Sequence, residues 1–423
     1  MVLVPVLDHL LHHARSGREK AHATIPFVPT VSFLEGRRIV LHQLAGLPQP
    51  PREQIGLPSA FARILAEDAA ADRDYPPVAR SIRDGFALRS QDLPGTFQVV
   101  GEIRAGESST LSVGPKQAIE IMTGAPVPSG ADTVVMVEHV SRQGLAITTD
   151  RRNQPGEFIN PAAAEAAQGA ILLTKGQVLT YPRIALLATI GKSEIEVYAK
   201  PSISILSTGD EVVDIHQPVQ PWQVRNSNAW SLAAQVTRAG GNPVLLPIAR
   251  DDYAHTRELI ERGFQSDLLL LSGGVSAGKY DLVEKVLSDI GAEFFFDRVK
   301  IQPGQPLVFG KAAGKYFFGL PGNPASTMVT FEVFARAAVE RLAGLATPSL
   351  PLAWATLTEP FRHKPGLTRF LPARLSPDGY EITPIRWQGS SDVPSLARAN
   401  AYLVADESRE SWDAGDRIGI LLQ

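Results

Sequence analysis

From Pro201 to Gly344, apolar runs of four or five residues alternate with longer segments whose apolar positions recur every three or four residues. Runs this short suit strands buried on both faces, and the longer segments suit amphipathic helices. Such a pattern predicts an α/β domain, a largely parallel sheet covered by helices on both sides. The predicted strands are Ile203 to Leu206, "PVLLPIA", "DLLLLS", "EFFFDRVKI", "PLVFGK" and "YFFGLP". The predicted helices are Asn228 to Ala239, "YAHTRELIERGF", a segment with Leu282, Val283, Val286, Leu287 and Ile290 on one face, and "PASTMVTFEVFARAAVERLAG".

The flanks read differently. A chain of 423 residues has room for more than this domain, at roughly 150 residues each. "LPSAFARILAEDAAADRDYPPVARS" predicts a helix ended by the Pro76-Pro77 pair. "DGFALR" to "VVMVEHV" breaks into short alternating runs split by Gly and Pro, as in a small β domain. "YPRIALLATIG" predicts a further helix, which returns beside the first and makes that domain discontinuous. Beyond Pro351, "RLSPDGYEI" is a hairpin with Asp-Gly at its turn, and "AYLVAD" and "RIGILLQ" are further strands of a small barrel.

Composition removes several functions. The absence of cysteine excludes disulfides, thiolate nucleophiles and cysteine-based metal sites. Lys and Arg total 41 against 44 Asp and Glu, a net charge of -3 that gives no case for nucleic acid as a partner. The N-terminal apolar run is interrupted by Pro5 and Asp8, is too short to span a membrane, and lacks a basic start and cleavage site. The expectation is a soluble, cytoplasmic protein. His9, His12 and His13 have helical spacing, but surface histidines on an N-terminal extension are the expected reading.

Ligands of open α/β sheets bind beyond the carboxyl ends of the strands. Three predicted strands end there in glycine-bearing loops: "SILSTGDE", "LLLSGGVSAGKYD" and "FFGLPGNPAS". Unpaired backbone N–H groups in such loops favour an anion. In the second loop Gly273, Gly278 and Lys279 have the spacing of a nucleotide-binding P-loop, yet Tyr280 occupies the position of the metal-binding hydroxyl. A phenol on a rigid ring cannot reach that point, whereas the neighbouring Asp281 offers a hard carboxylate oxygen suited to Mg²⁺. Asp210, Glu211, Asp251 and Asp252 also fall at strand-to-helix junctions. The pattern therefore points to acidic residues and a divalent ion around a phosphate. Each feature also has a plainer reading, since Ser, Thr and Asp cap helices, Pro-Gly and Asn-Pro form turns, and Asp251-Asp252 suits a solvated cap.

Several motifs together resemble the molybdopterin molybdenumtransferase family, which includes the E domain of gephyrin. They are "PPVARSIRDGFALR", "IMTGAPVPSGADTVVMVE", "ILSTGDEVV", "SGGVSAGKYD", "PGQPLVFG", "GLPGNPAS" and "GSSDVPSLARANAYLV", and the similarity runs from about Ser32 to Gln423. The resemblance implies an N-terminal extension over residues 1–31 and a discontinuous linker domain over 32–76 and 150–199. It further implies an inserted small β domain over 77–149, an α/β molybdopterin-binding domain over 200–345 and a C-terminal β barrel over 346–423. It implies a homodimer whose site receives the partner's β domain. The implied reaction inserts molybdate into adenylylated molybdopterin with release of AMP, and requires Mg²⁺. Transient contact with molybdopterin adenylyltransferase and with recipient molybdoenzymes is implied as well.

Carried over motif by motif, Asp84, Thr123, Glu211, Asp252 and Asp281 become the catalytic candidates. Glu211, Asp252 and Asp281 are also the metal candidates. Ser207, Thr208, Gly209, Ser272, Gly273, Gly274, Ser276, Gly278, Lys279, Pro303, Pro306 and Arg369 are the binding candidates. The chain departs from the family at Gln302 and Gln305, where two cations are usual, at Phe158 in place of a carboxylate, and at Leu367 and Pro372 in place of arginines. Lys279 and Lys300 are the nearest substitutes for the missing cations. Two rival functions share parts of this pattern: the preceding adenylyltransferase step, and a non-catalytic pterin-binding scaffold.

Overall fold

The computed structural model describes residues 30–107, 110–274 and 282–423. Its largest core belongs to the α/β pattern. The strands are β1 (Ser202–Ser207), β2 (Asn242–Leu245), β3 (Leu268–Ser272), β4 (Glu293–Arg298), β5 (Pro306–Ala312) and β6 (Lys315–Leu320). They form one sheet in the order β2-β1-β3-β6-β5-β4. Strands β2, β1, β3 and β6 run parallel, while β5 and β4 add an antiparallel edge. Leu268 and Leu270 face one hydrophobic cluster and Leu269 and Leu271 the other, so both faces of β3 are covered. Burying each such leucine contributes about 2 kcal/mol, which is why the run carries no polar alternation.

The helices follow the predicted periodicity. They are α1 (Ser227–Arg238), α2 (Tyr253–Gly263) and α3 (Leu282–Asp289), whose buried residues Val283, Val286 and Leu287 match the predicted face. The helix expected after β6 is not regular. Helices α4 (Pro324–Thr330) and α5 (Arg336–Leu342) flank a π-helical turn, Phe331–Ala335. Phe331, Glu332, Val333 and Phe334 of this turn are all buried, as are Ala337 to Glu340 of α5, so the whole segment lies inside the core. Glu332 is held there by Arg238 at 2.6 Å and by the Gln235 amide at 2.7 Å.

The other units are β-rich. A six-stranded sheet contains Gly85–Leu88, Gly95–Ile103, Gln117–Ile121, Thr133–Met136, Ser141–Gln143 and Ala146–Thr149. In the C-terminal unit Thr368–Leu375 pairs with both Glu381–Pro384 and Ala401–Ala405, closing a barrel-like sheet with Leu352–Leu357 and Arg417–Leu422. The predicted hairpin is present, with Leu375 opposite Ile382. Helix Phe33–Ala45 places Phe33, Val40 and Leu44 in the α/β core, where the Phe33 ring meets Phe334 and Phe370 edge-on.

One predicted helix is absent. Across "LPSAFARILAEDAAADRDYPPVARS" the chain forms one short 3-10 turn, Leu57–Ser59, and the strands Ala69–Ala70 and Arg80–Ser81. Ala62 sits at φ +61, which breaks any helix. The amides of Ala62, Leu65, Ala66 and Ala71 donate instead to Leu179, Gln177, Glu196 and Ala170. Long-range pairing outweighs the helix propensity of an alanine- and leucine-rich stretch. The predicted strand "PVLLPIA" is likewise shorter, ending at Leu245. The helix predicted at "YPRIALLATIG" forms as Tyr181–Thr189. Among the described residues, no helix is long and apolar enough to cross a membrane.

Candidate active site

Parallel pairing places Ser207, Ser272 and Leu320 in one row, so the three glycine-bearing loops leave the sheet side by side. Backbone bonds stitch them together: Thr208 N–H donates to Ser272 O at 3.0 Å and Gly273 N–H to Leu320 O at 3.1 Å. Gly273 and Gly274 adopt φ +91 and +64, conformations that disfavour any side chain. They also approach Thr208 closely. A Cβ at Gly273 would lie 2.9 Å from the Thr208 carbonyl, and one at Gly274 would lie 2.8 Å from Thr208 Oγ1.

Above this row opens a cleft of about 1840 Å³. Ser207, Thr208, Gly209 and Glu211 of the first loop line it, as do Ser272, Gly273 and Gly274 of the second. Pro303 and Pro306 form a neighbouring wall with Gln302 and Gln305. The Glu211 carboxylate folds over Gly209, so closely that a Cβ there would sit 2.5 Å from Oε2. Asp251 also lines the cleft, and its N–H donates to Asp210 Oδ1 at 3.2 Å. A further wall comes from the C-terminal unit, through Trp387, Gly389, Ser390 and Ser391.

Other candidates lie elsewhere. Asp252 does not line the cleft; its Oδ1 accepts the His255 amide at 2.8 Å and caps α2. Arg369 lies next to Gln302 in the C-terminal sheet, off the cleft lining, and its Nε is buried with no partner among the described residues. Lys300 does not line the cleft either, whereas Arg225 and Lys285 do. Ser276, Gly278, Lys279 and Asp281 lie outside the described residues, as does Tyr280, and so do His9, His12 and His13.

Asp84 and Thr123 meet each other. Asp84 precedes strand Gly85–Leu88 and Thr123 follows its neighbour Gln117–Ile121, so antiparallel pairing brings them together. Asp84 Oδ1 accepts the Thr123 N–H at 2.6 Å and the Thr123 hydroxyl at 2.8 Å. These bonds, the amide first, hold the Asp84 carboxyl below the usual aspartate range. No described residue of the 77–149 stretch is among those lining the cleft.

For a metal, no group of three His, Cys, Asp or Glu side chains occurs among the described residues. Glu211 and Asp251 nevertheless bring carboxylates to the cleft, and Mg²⁺ needs only one or two alongside water and phosphate oxygens. Those residues fit the ion. Glu284, also on the cleft, has its carboxyl pushed up by burial and then by the charge of Asp297.

Sequence reasoning missed Asn226 and Asn228. Asn226 caps α1 by accepting from Ala229 N at 3.1 Å and takes a bond from Ser207 Oγ at 2.9 Å. Asn228 Nδ2 donates to Ser272 Oγ and to Gly322 O, both at 2.8 Å, tying the second loop to the third. Polar residues before a periodic helix were the available signal, but a cap alone does not reveal which loops it clamps. Arg225 and the Ser390-Ser391 pair were missed too, although the serines sit within a recognised motif.

Three family models match in succession: the MoeA N-terminal region (domain I and II) over residues 31–191, a probable molybdopterin binding domain over 204–341, and the MoeA C-terminal region (domain IV) over 355–422. A molybdopterin molybdenumtransferase of Bacillus subtilis (strain 168) is 34% identical over 388 residues, covering 88% of this chain and 90% of its own. One from Staphylococcus aureus (strain Mu50) is 32% identical over 382 residues, covering 88% and 91%. The crystal structure of the molybdopterin biosynthesis moeA protein from Pyrococcus horikoshii OT3 superposes with a TM-score of 0.78 at 27% identity, covering 93% of this chain and all of that one.

Proposed function

The chain belongs to the molybdopterin molybdenumtransferase family, and we propose that its cleft holds adenylylated molybdopterin beside molybdate, placing the metal on the dithiolene while AMP departs. One observation carries this reading: three glycine-bearing strand ends are stitched into a single floor that offers hydroxyls and a carboxylate to one cleft. Backbone amides and hydroxyls at such a floor stabilise the charge that develops as a phosphoanhydride breaks. The pterin brings its own sulfurs, so a chain without cysteine suffices.

Glu211 and Asp251 would hold Mg²⁺, with Asp281, outside the described residues, as a third ligand. The ion supplies charge neutralisation at the phosphate oxygens. Asp252 is better assigned to capping α2. Arg225 and Lys285 provide the local positive charge that Gln302 and Gln305 do not.

The site is completed in a homodimer by the partner's β domain. What supports this is the Asp84–Thr123 pair, joined by two bonds yet drawn from a stretch none of whose described residues lines its own chain's cleft. Matches to the N- and C-terminal regions, beyond the pterin-binding domain, favour insertion over the preceding adenylylation.

The deciding experiment incubates the pure protein with adenylylated molybdopterin, Mg²⁺ and either molybdate or tungstate. AMP is expected to accumulate only when ion and oxyanion are both present. Formation of adenylylated product from ATP and molybdopterin would instead assign the preceding step.

A further inference from the structure

The hydroxyls of Ser207 and Ser272 end adjacent parallel strands in register and line the same cleft, so the sequence presents them as equivalent anion ligands. Their hydrogen-bond partners make them opposites. Asn226 Oδ1 accepts the Ala229 backbone N–H, which fixes its amide orientation because turning it over would set two donors face to face. The Ser207 hydroxyl must therefore spend its single proton on Asn226 Oδ1. It faces the cleft with lone pairs only.

Asn228 is fixed in the reverse sense. Its Nδ2 meets the Gly322 carbonyl, which can only accept, and a flipped amide would oppose two acceptors. The other Nδ2 hydrogen goes to Ser272 Oγ. Ser272 is thus the acceptor of that bond, and its own proton has no acceptor among the described residues. Asn228 Oδ1, buried and without a partner, shows that this amide is held by its two donations alone.

We propose that Asn228 is a positioning residue that commits Ser272 as the hydroxyl donor to the ligand's phosphate, while Asn226 commits Ser207 as an acceptor facing a cation or an N–H group. The floor then has a direction. The anionic oxygen lies at the β3 end and the positive partner at the β1 end, beside Glu211. Neither asparagine need touch the ligand, because each acts through the serine it orients. This inference rests on the reading of the cleft as a phosphate site.

The test uses AMP and adenosine as paired probes in calorimetric titrations of the full chain with Mg²⁺, so that their ratio isolates the phosphate contact. Ser272→Ala should lower the AMP-over-adenosine preference by about 10- to 100-fold, as expected for a lost hydrogen bond to a charged group. Ser207→Ala should lower it by less than about threefold, since its proton never reaches the phosphate. Asn228→Ala should reproduce part of the Ser272→Ala loss and add nothing in the Ser272→Ala background, whereas a merely structural role would weaken both probes and add. Ser272→Ala removes one atom, so it keeps the test decisive if Asn228→Ala fails to fold. A wild-type chain with no preference for AMP removes the phosphate-site reading and this assignment with it. A clear preference that survives Ser272→Ala, or that Ser207→Ala abolishes, overturns the assignment alone.

Discussion

Replacing Gly273 with alanine probes the contact on which the cleft floor depends. A side chain at φ +91 costs about 1–2 kcal/mol in backbone strain. The new Cβ would also lie 2.9 Å from the Thr208 carbonyl, inside the distance that real contacts allow. No flexible side chain can yield there, so the first two loops must part by about half an ångström to reach ordinary contact. That separation acts on the bonds Thr208 N to Ser272 O and Gly273 N to Leu320 O, each worth about 1 kcal/mol. The sum is about 2–4 kcal/mol. Gly291→Ala is the matched control, with φ +80 but nothing within 4 Å of its Cβ. It should cost only the strain of about 1–2 kcal/mol. Urea midpoints measure the stability difference, and AMP titration measures the site. The expectation is that Gly273→Ala is the less stable variant and binds AMP at least about tenfold more weakly, while Gly291→Ala binds as wild type. Equal destabilisation, or undiminished AMP binding by Gly273→Ala, would refute the close-approach argument.

The remaining predictions concern the rest of the molecule. If the partner's β domain completes each site, mixing inactive Asp84→Ala and Glu211→Ala chains should restore about a quarter of wild-type AMP release, because half the dimers carry one intact site; no recovery after verified subunit exchange would place both residues in one chain's site. Asp84 should titrate below the usual aspartate range by carbon NMR, and Thr123→Val should raise it. The sign follows from linkage: a depressed folded value stabilises above the ordinary range, and that contribution fades as pH falls through it. Glu332→Ala should destabilise by about 1–3 kcal/mol in chemical denaturation, because Glu332 is 4% exposed and its loss leaves a void and removes one of two acceptors of the Gln235 amide, while half-exposed Arg238 is in part taken up by water. A loss below about 1 kcal/mol would mean that solvent already satisfies Arg238.

Legibility followed the range of the interactions. The run Leu268–Ser272 and the face of Val283, Val286 and Leu287 were plain in the sequence, since each is a local pattern repeated by one element. The place of Ser207, Thr208, Gly209, Glu211 and the glycine pair on the cleft was legible for a related reason, because they follow the carboxyl ends of parallel strands. The stretch from Leu57 to Ser81 does not form the expected helix because its composition favours one while the amides of Ala62, Leu65, Ala66, Ala71 and Tyr75 find partners beyond residue 165. Asp252 looked like its neighbour Asp251 in sequence, and only the turn into α2 separates a capping carboxylate from a residue on the cleft wall.

By itself, then, the sequence determined which residues sit at strand ends, which faces are apolar and which family the motifs resemble, because those properties reside in spacing along one chain. Tertiary structure alone decided how Asn226 and Asn228 set two similar serines in opposite senses, and how Thr208 comes to rest on Gly273 and Gly274. Hydrogen-bond polarity and close approach are relations between segments far apart in the chain, and no periodicity within either segment records them.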